Sequence, residues 1–189
     1  MWALVESNSV SKIYTRPTSL LLNGIRHPAN IFSLWSEAEL KAIGIYEIVI
    51  DNTNRKDSEY YINTNQTYAF ASDTVTASYG TATVRAIADV TNADDSITAG
   101  LKSQHKTQIN NVATGLLQKY DWYTLRAASG GTAIPSTVST YQAAVRTKAN
   151  SMCTQIDNAA DVDALVALYV YNDDNPPVRP LGEFPNKPS

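Results

Sequence analysis

The stretch LLQKYDWYTLRAASGGTAIPSTVSTYQAAVR, residues 116–146, decides how the second half of the chain folds. It contains a Leu-Leu pair, an Asp-Trp-Tyr run, a Gly-Gly break and a proline. On both sides of it, apolar residues recur at intervals of three and four, which places them on one face of a helix. We therefore predict two amphipathic helices joined by a loop over residues 118–135.

Three helices are predicted between residues 95 and 171. The inward residues of the first are Leu101, His105, Ile109, Val112 and Leu116. Those of the second are Val138, Tyr141, Val145, Met152 and Ile156, with Ala149 in the longer gap. Asp161 is a suitable N-cap for a third, whose inward residues are Val162, Leu165, Val166 and Tyr169. Three helices with short links can close a small bundle.

The first half of the chain has the two-residue period and the turn residues of antiparallel strands. Residues 2–6 and 12–15 predict one hairpin, with Asn8-Ser9 as its turn. A second hairpin is predicted around Asn23-Gly24, a strong two-residue turn signal, with strands at residues 20–22 and 25–27.

A short helix interrupts these strands. Ser36 and Glu39 have the spacing of a capping box, with Trp35 and Leu40 as its hydrophobic staple, and Gly44 is the expected left-handed residue after the helix. A buried strand is then predicted at residues 45–50, followed by a β-meander with strands at residues 60–62, 67–70 and 75–79.

The predicted fold class is therefore α+β, with three parts. Residues 1–85 form a small antiparallel β domain with one short helix, and residues 86–171 form the three-helix unit. Residues 172–189 contain five prolines, which exclude helix and central strand, so an extended tail is predicted. We expect this tail to dock through Leu181 and Phe184 on the β domain or on a neighbouring subunit.

Composition excludes several classes of function. The chain has 189 residues, of which 43% are hydrophobic and 17% charged, as in a globular protein. Its net charge of −3 argues against a general nucleic-acid binder, and no apolar run approaches the length of a membrane span. The N-terminus lacks the basic region of a signal peptide. The single cysteine, Cys153, cannot form an intramolecular disulfide and is expected in the core.

No catalytic, metal or cofactor pattern is complete. Ser103 and Lys106 match a Ser-x-x-Lys pattern, but the accompanying motifs of that chemistry are missing. His27 and His105 have no partner at zinc-ligand spacing, and His105 is expected in a core or an interface. Asp94-Asp95 and Asp173-Asp174 are expected to lie in solvated turns. We therefore expect no enzyme activity and no cofactor.

Asp121, Trp122, Arg126 and Arg146 form the most informative set. Asp121 could be an acid or base, but a catalytic site would normally show a second titratable partner. We favour a structural role, in which the Asp121 carboxylate accepts a hydrogen bond from Arg126, Arg146 or a helix N-terminal N–H. Trp122 is expected in the core, with an exposed partner contact as the alternative.

These residues also carry a resemblance. Residues 115–126, Ile134-Pro135 and residues 141–146 resemble the helical segment of tailed-phage tail assembly chaperones and tail-fibre assembly proteins, in which a Leu-Leu pair and an Asp-Trp precede a Tyr-x-x-x-Val/Leu-Arg. Residues 31–45 resemble the short helix of the β domain of such proteins and of related small phage structural proteins. One position departs: relatives usually have Tyr-Arg, and here Gln142 follows Tyr141.

The resemblance implies a non-enzymatic, partner-binding protein of a phage tail or fibre. Two hypotheses remain: a chaperone-like module that acts in the host cytoplasm during assembly, or a permanent structural component of the virion tail, fibre or baseplate. The implied partner is a tail or tail-fibre protein, with no nucleic acid and no membrane, and with homo-oligomerisation in the particle left open. The candidate partner-binding residues are Trp122, Tyr123, Arg126, Tyr141, Arg146, Leu181 and Phe184.

Overall fold

A computed structural model describes residues 1–188, and the chain divides into two compact units between Thr83 and Val84. Strands dominate the first unit and helices the second, so the predicted α+β class is confirmed. The division lies two residues before the predicted boundary. Residues 172–188 cluster with the second unit, and Ser189 lies outside the described residues.

The elements are numbered here in chain order. The strands are β1 Trp2–Glu6, β2 Ser9–Tyr14, β3 Leu20–Leu22, β4 Ile25–His27, β5 Ile45–Asp51, β6 Tyr61–Ile62, β7 Thr67–Ala71, β8 Thr74–Ser78, β9 Thr83–Val84, β10 Val90–Thr91 and β11 Ile97–Thr98. The helices are α1 Ile31–Leu34, α2 Glu37–Ala42, α3 Leu101–Gln118, α4 Asp121–Ala128, α5 Ser136–Asn158 and α6 Val162–Ala167.

A five-stranded sheet in the order β2-β1-β5-β8-β7 organises the first unit. β1–β2, β1–β5 and β7–β8 pair antiparallel, and the predicted hairpin β3–β4 forms separately. The first hairpin turns at Ser7-Asn8, one residue earlier than predicted, with φ of 49° and 63° at the two positions. Positive φ at both central residues suits a two-residue hairpin loop, because it matches the twist of the strands.

Two features of this sheet differ from the prediction. β5 and β8 pair parallel, which introduces one parallel ladder into an otherwise antiparallel arrangement. β6 does not join the sheet, so the predicted three-stranded meander reduces to the hairpin β7–β8. The Asn63 side chain accepts from the Lys56 N–H and donates to the Lys56 carbonyl, both at 2.8 Å. These bonds close residues 56–63 into a loop.

Apolar clusters lie on both faces of the sheet. One face presents Ala3, Ile48, Val75 and Ala77, which form a core cluster, and the outer strands β2 and β7 approach each other around it. The other face contributes to a second cluster, whose buried members are Leu4, Tyr14, Leu20, Ile31, Phe32, Leu40 and Ile45.

α2 belongs to the second cluster and is delimited as predicted. Ser36 and Glu39 form the capping box, and Gly44 follows the helix with a φ of 79°. Trp35 and Leu40 pack in the same cluster. α1 is a second, four-residue helix in this domain, where one helix was predicted.

The helical unit is built on α3 and α5, which pack against each other. All the residues predicted to point inward from α5 are buried. On α3 the buried face is Leu101, His105, Ile109 and Ala113, a strict four-residue repeat. Val112, predicted to point inward, is therefore 51% exposed. Asp161 caps α6 by accepting from the Ala164 N–H at 2.8 Å, as predicted.

The predicted loop over residues 118–135 contains a fourth helix, α4. Gly130, with a φ of 81°, and Gly131 end it. The Gly131 N–H donates to the Arg126 carbonyl and the Gly130 N–H to the Ala127 carbonyl, which is the Schellman pattern. The Gly-Gly pair, interpreted as part of a loop, is thus the C-terminal stop of a helix.

The C-terminal residues fold back onto their own helical unit. The Leu181 side chain is fully buried, and its N–H donates to the Leu168 carbonyl at 3.0 Å. Lys148 Nζ on α5 donates to the Leu181 carbonyl at 2.8 Å. The prediction that the tail docks on the β domain or on another subunit is therefore wrong, because the helical core itself provides the apolar site for Leu181.

Candidate partner-binding surface

α4 presents an unusually apolar surface for a short helix. None of its eight residues is buried, and Trp122 and Leu125 are 50% and 69% exposed. Residues three positions apart on a helix are neighbours on its surface, so the two side chains adjoin. The result is an apolar patch at the exposed side of α4.

Trp122 is therefore not a core residue, and that expectation is wrong. Its ring lies against the ring of Tyr123, with 3.8 Å between the centroids. The guanidinium carbon of Arg126 lies 4.8 Å from the centre of the Trp122 ring and 5.1 Å from that of Tyr123. These three residues form what we call the α4 cluster. The predicted residues Trp122, Tyr123 and Arg126 are thus brought together.

Arg126 is held in place by the loop that follows α4. Its Nε donates to the Thr132 carbonyl at 3.3 Å and its Nη2 to the Ala133 carbonyl at 3.4 Å. Within residues 1–188, no carboxylate forms a salt bridge with Arg126. The guanidinium is therefore oriented by backbone oxygens and aromatic rings and by no carboxylate of residues 1–188.

The predicted Asp121 link is absent. In the part of the chain that the structure describes, Asp121 forms neither a hydrogen bond nor a salt bridge with Arg126 or Arg146, and the N-cap of α4 has no side-chain hydrogen bond. Asp121 is exposed in the first turn of α4. A negative charge at this position stabilises the helix, because it lies near the positive end of the helix dipole. Arg146 is exposed on α5 and does not join the α4 cluster.

Tyr141 is connected to the α4 cluster through the ring of Tyr120. It is 5% exposed, and its ring meets that of Tyr120 edge-on at 5.3 Å. Tyr120 in turn stacks on Tyr123 at 6.4 Å. A continuous series of rings therefore connects the core side of α5 to the surface of α4. Burial raises the pKa of Tyr141, and its hydroxyl has no hydrogen-bond partner among residues 1–188.

Sequence reasoning missed Tyr120 and Leu125 as members of this surface. Both flank the Asp-Trp-Tyr run, and the i, i+3 spacing of Trp122 and Leu125 is the signal that would have found the second. Finding it requires a helix at residues 121–128, which was expected to be a loop.

The remaining candidate residues are less accessible. Leu181 is fully buried and anchors the tail on its own unit, and Phe184 is half-buried. Gln142, which follows Tyr141, is 5% exposed. Its side chain therefore packs inside the helical unit and is not displayed at the surface.

The residues that matched catalytic patterns have structural contacts. Lys106 Nζ forms a salt bridge with Asp157 at 2.7 Å, and this hydrogen bond raises the pKa of Lys106. It is therefore an ammonium group and not the neutral base that a Ser-x-x-Lys mechanism uses. The Ser103 hydroxyl hydrogen-bonds to Asp89, and this bond is the largest cause that lowers the pKa of Asp89.

His105 is buried, and its Nδ1 lies 2.9 Å from the Tyr169 hydroxyl, so it is a core histidine as expected. Cys153 is half-buried instead of fully in the core, and burial raises the pKa of its thiol. Asp94 lies in an exposed turn and accepts from the Ser96 hydroxyl at 2.6 Å. Across residues 1–188, no three His, Cys, Asp or Glu residues converge as metal ligands.

No described helix combines the length and the apolar character needed to cross a bilayer. Comparisons with protein-family models, with curated proteins and with solved structures find no match to this chain.

Proposed function

We propose that this chain is a non-enzymatic, tail-associated protein of a tailed phage that binds a tail or tail-fibre protein during assembly in the host cytoplasm. The observation that carries the proposal is the exposed apolar patch of α4, Trp122 and Leu125, beside the oriented guanidinium of Arg126. The resemblance of residues 115–146 and 31–45 to tail assembly chaperones supplies the class of partner.

The composition of this surface suits protein binding. Tryptophan, tyrosine and arginine contribute most of the energy at protein interfaces, and all three occur in the α4 cluster. The cluster is also preorganised: Arg126 is fixed by two backbone carbonyls, and Tyr123 is stacked on Tyr120. Preorganised side chains lose little conformational entropy when a partner binds, so more of the contact energy remains as affinity.

A pull-down with matched variants tests the proposal. The tagged protein is co-expressed with each tail and fibre protein of the phage that encodes it. The wild type is compared with the double variant Trp122→Ala/Leu125→Ala and with the control Val112→Ala/Leu21→Ala, which removes two exposed apolar side chains elsewhere. We expect the α4 variant to lose more than about tenfold in retained partner while the control retains it.

Equal retention by both variants would refute the α4 surface, and no retention of any tail or fibre protein by the wild type would refute the function. Mass spectrometry of purified virions then separates transient from permanent binding. A chaperone-like module is expected to be absent, whereas stoichiometric amounts would reassign the chain as a structural component of the particle.

A further inference from the structure

We infer that the segment bound by α4 presents a carboxylate next to an apolar side chain, so that the partner is an acidic-apolar segment of a protein. This inference rests on the proposed function and specifies the chemistry of the partner. Its starting point is that Arg126, although oriented by two backbone carbonyls and two aromatic rings, has no carboxylate partner within residues 1–188.

The orientation of the Arg126 guanidinium leaves Nη1 free to donate a hydrogen bond to a partner. Nε and Nη2 donate to the carbonyls of Thr132 and Ala133, whereas Nη1 forms no hydrogen bond with the described residues. The rings of Trp122 and Tyr123 lie within 5.1 Å of the guanidinium carbon, so aromatic surface borders the guanidinium. A carboxylate that reaches Nη1 would therefore form an ion pair in surroundings of lower effective dielectric, where the pair is stronger than in bulk water.

The neighbours of Arg126 on α4 indicate that the bound segment also has an apolar side chain. Trp122 and Leu125 leave half or more of their side-chain surface in solvent. Burying this surface needs an aliphatic or aromatic side chain on the partner, and the α4 geometry places that side chain directly beside the acid.

The charge of Asp121 determines the orientation of the bound segment along α4. Asp121 is exposed, has no ionic partner in residues 1–188, and lies about 7.5 Å from Arg126 along the helix axis, at about 1.5 Å per residue. A carboxylate at this end of α4 would be repelled. The bound segment should therefore have its acid at the Arg126 end and a neutral or basic residue at the Asp121 end. Asp121 and the net charge of −3 also disfavour a nucleic acid as the occupant.

The probe for this inference is a library of random 12-residue peptides displayed on yeast, selected against the purified full chain. The compared proteins are the wild type, Arg126→Gln, Asp121→Lys and the control Arg26→Gln, which removes an exposed arginine of β4 outside the cluster. Circular dichroism melts verify that each variant is folded. Asp121→Lys leaves the loop contacts of Arg126 intact, so it tests charge preference even if Arg126→Gln disturbs the loop.

We expect the wild type and Arg26→Gln to enrich peptides with Asp or Glu adjacent to an aliphatic or aromatic residue. Arg126→Gln should reduce this enrichment by about tenfold or more. Asp121→Lys should add a preference for a second acid on the opposite side of the apolar residue. For a synthesised selected peptide, the affinity measured by fluorescence titration should fall as salt is raised from 50 to 500 mM (on the order of tenfold), since salt screens the pair.

Three results would overturn the inference: enrichment of neutral or basic peptides, the same acidic enrichment by Arg126→Gln, or no enrichment by the wild type. Its failure is distinguishable from that of the proposed function. If a tail protein binds through Trp122 but tolerates Arg126→Gln, the function stands and the acidic partner is wrong. If acidic-apolar peptides bind but no tail or fibre protein does, the chemistry stands and the phage partner is wrong.

Discussion

Arg126 packs against Gly131, where the absence of a side chain leaves room for it. A Cβ atom built on Gly131 would lie 2.8 Å from Arg126 Cγ and 2.9 Å from the Arg126 carbonyl oxygen, and the latter is backbone that cannot easily move. Gly131→Ala should therefore displace the guanidinium, weaken partner binding and destabilise the chain by about 1 kcal/mol or more. Chemical denaturation and the pull-down measure the two effects.

Gly115 is the matched control for this substitution. It lies inside α3, and a Cβ there would meet nothing within 4 Å. Gly115→Ala should stabilise the chain by about 0.5–1 kcal/mol, because alanine favours the helix over glycine. A Gly131→Ala variant that matched Gly115→Ala in stability and partner binding would contradict the proposed packing of Arg126.

The stability of Trp122→Ala distinguishes a surface role of Trp122 from a role in the core. A buried tryptophan would cost about 3–5 kcal/mol on truncation. Because Trp122 is 50% exposed and loses chiefly its contacts with Tyr123 and Arg126, we expect about 0.5–1 kcal/mol in urea unfolding, together with a large loss of partner binding. A cost near the core value with unchanged binding would restore the original expectation for Trp122.

The Tyr141 hydroxyl is buried without a hydrogen-bond partner in residues 1–188. Burying an unsatisfied hydroxyl costs free energy, so Tyr141→Phe should leave stability unchanged or raise it by up to about 1 kcal/mol. The ring must remain, because it supports Tyr120 under the α4 cluster. A destabilisation above about 1 kcal/mol in urea unfolding would show that the hydroxyl has a partner in solution.

At the scale of elements, helices and hairpins with many repeats or with a clear cap or turn signal were predictable, as α5, α2 and the hairpin β3–β4 show, and α4, which has neither signal, was not. α5 spans 23 residues, and every residue predicted to point inward is buried, because many turns repeat the same pattern. α4 spans eight residues between a tyrosine and two glycines, too few turns for a periodic signal. The sequence therefore predicted three residues that lie together, Trp122, Tyr123 and Arg126, while the exposure of Trp122 depended on a helix that the sequence pattern did not reveal.

The contacts of Glu183 with Tyr171 and Arg179, at the base of the tail, should be sensitive to acid. Glu183 accepts from the Tyr171 hydroxyl at 2.6 Å and from Arg179 Nη2 at 3.0 Å, and these bonds, the Tyr171 bond first, lower the pKa of Glu183 below its ordinary 4.5. A lowered pKa in the folded state contributes stability above the ordinary pKa, and this contribution is lost as pH falls through the folded value. Glu183→Gln should therefore unfold with a weaker pH dependence below about pH 5, as measured by urea midpoints from pH 7 to 3. Identical acid profiles for the variant and the wild type would show that the bonds do not persist in solution.

At the scale of the whole molecule, the change from a two-residue period to a helical one was sufficient to place the α+β class and a boundary within two residues of Thr83. The parallel pairing of β5 with β8 and the docking of the tail were not predictable in the same way. Both depend on which distant segments meet, and local periodicity contains no information about that choice.

The tail should contribute to the stability of the helical unit, because Leu181 is buried there. Leu181 is fully buried and joined to Leu168 and Lys148 by backbone and side-chain hydrogen bonds. Leu181→Ala should cost about 2–5 kcal/mol, and deletion of residues 176–189 should lower the melting temperature of the helical unit at least as much as this single truncation. Calorimetry measures both, with deletion of residues 187–189 as a control that leaves Leu181 in place. An unchanged melting temperature after the longer deletion would show that the helices close their core without the tail.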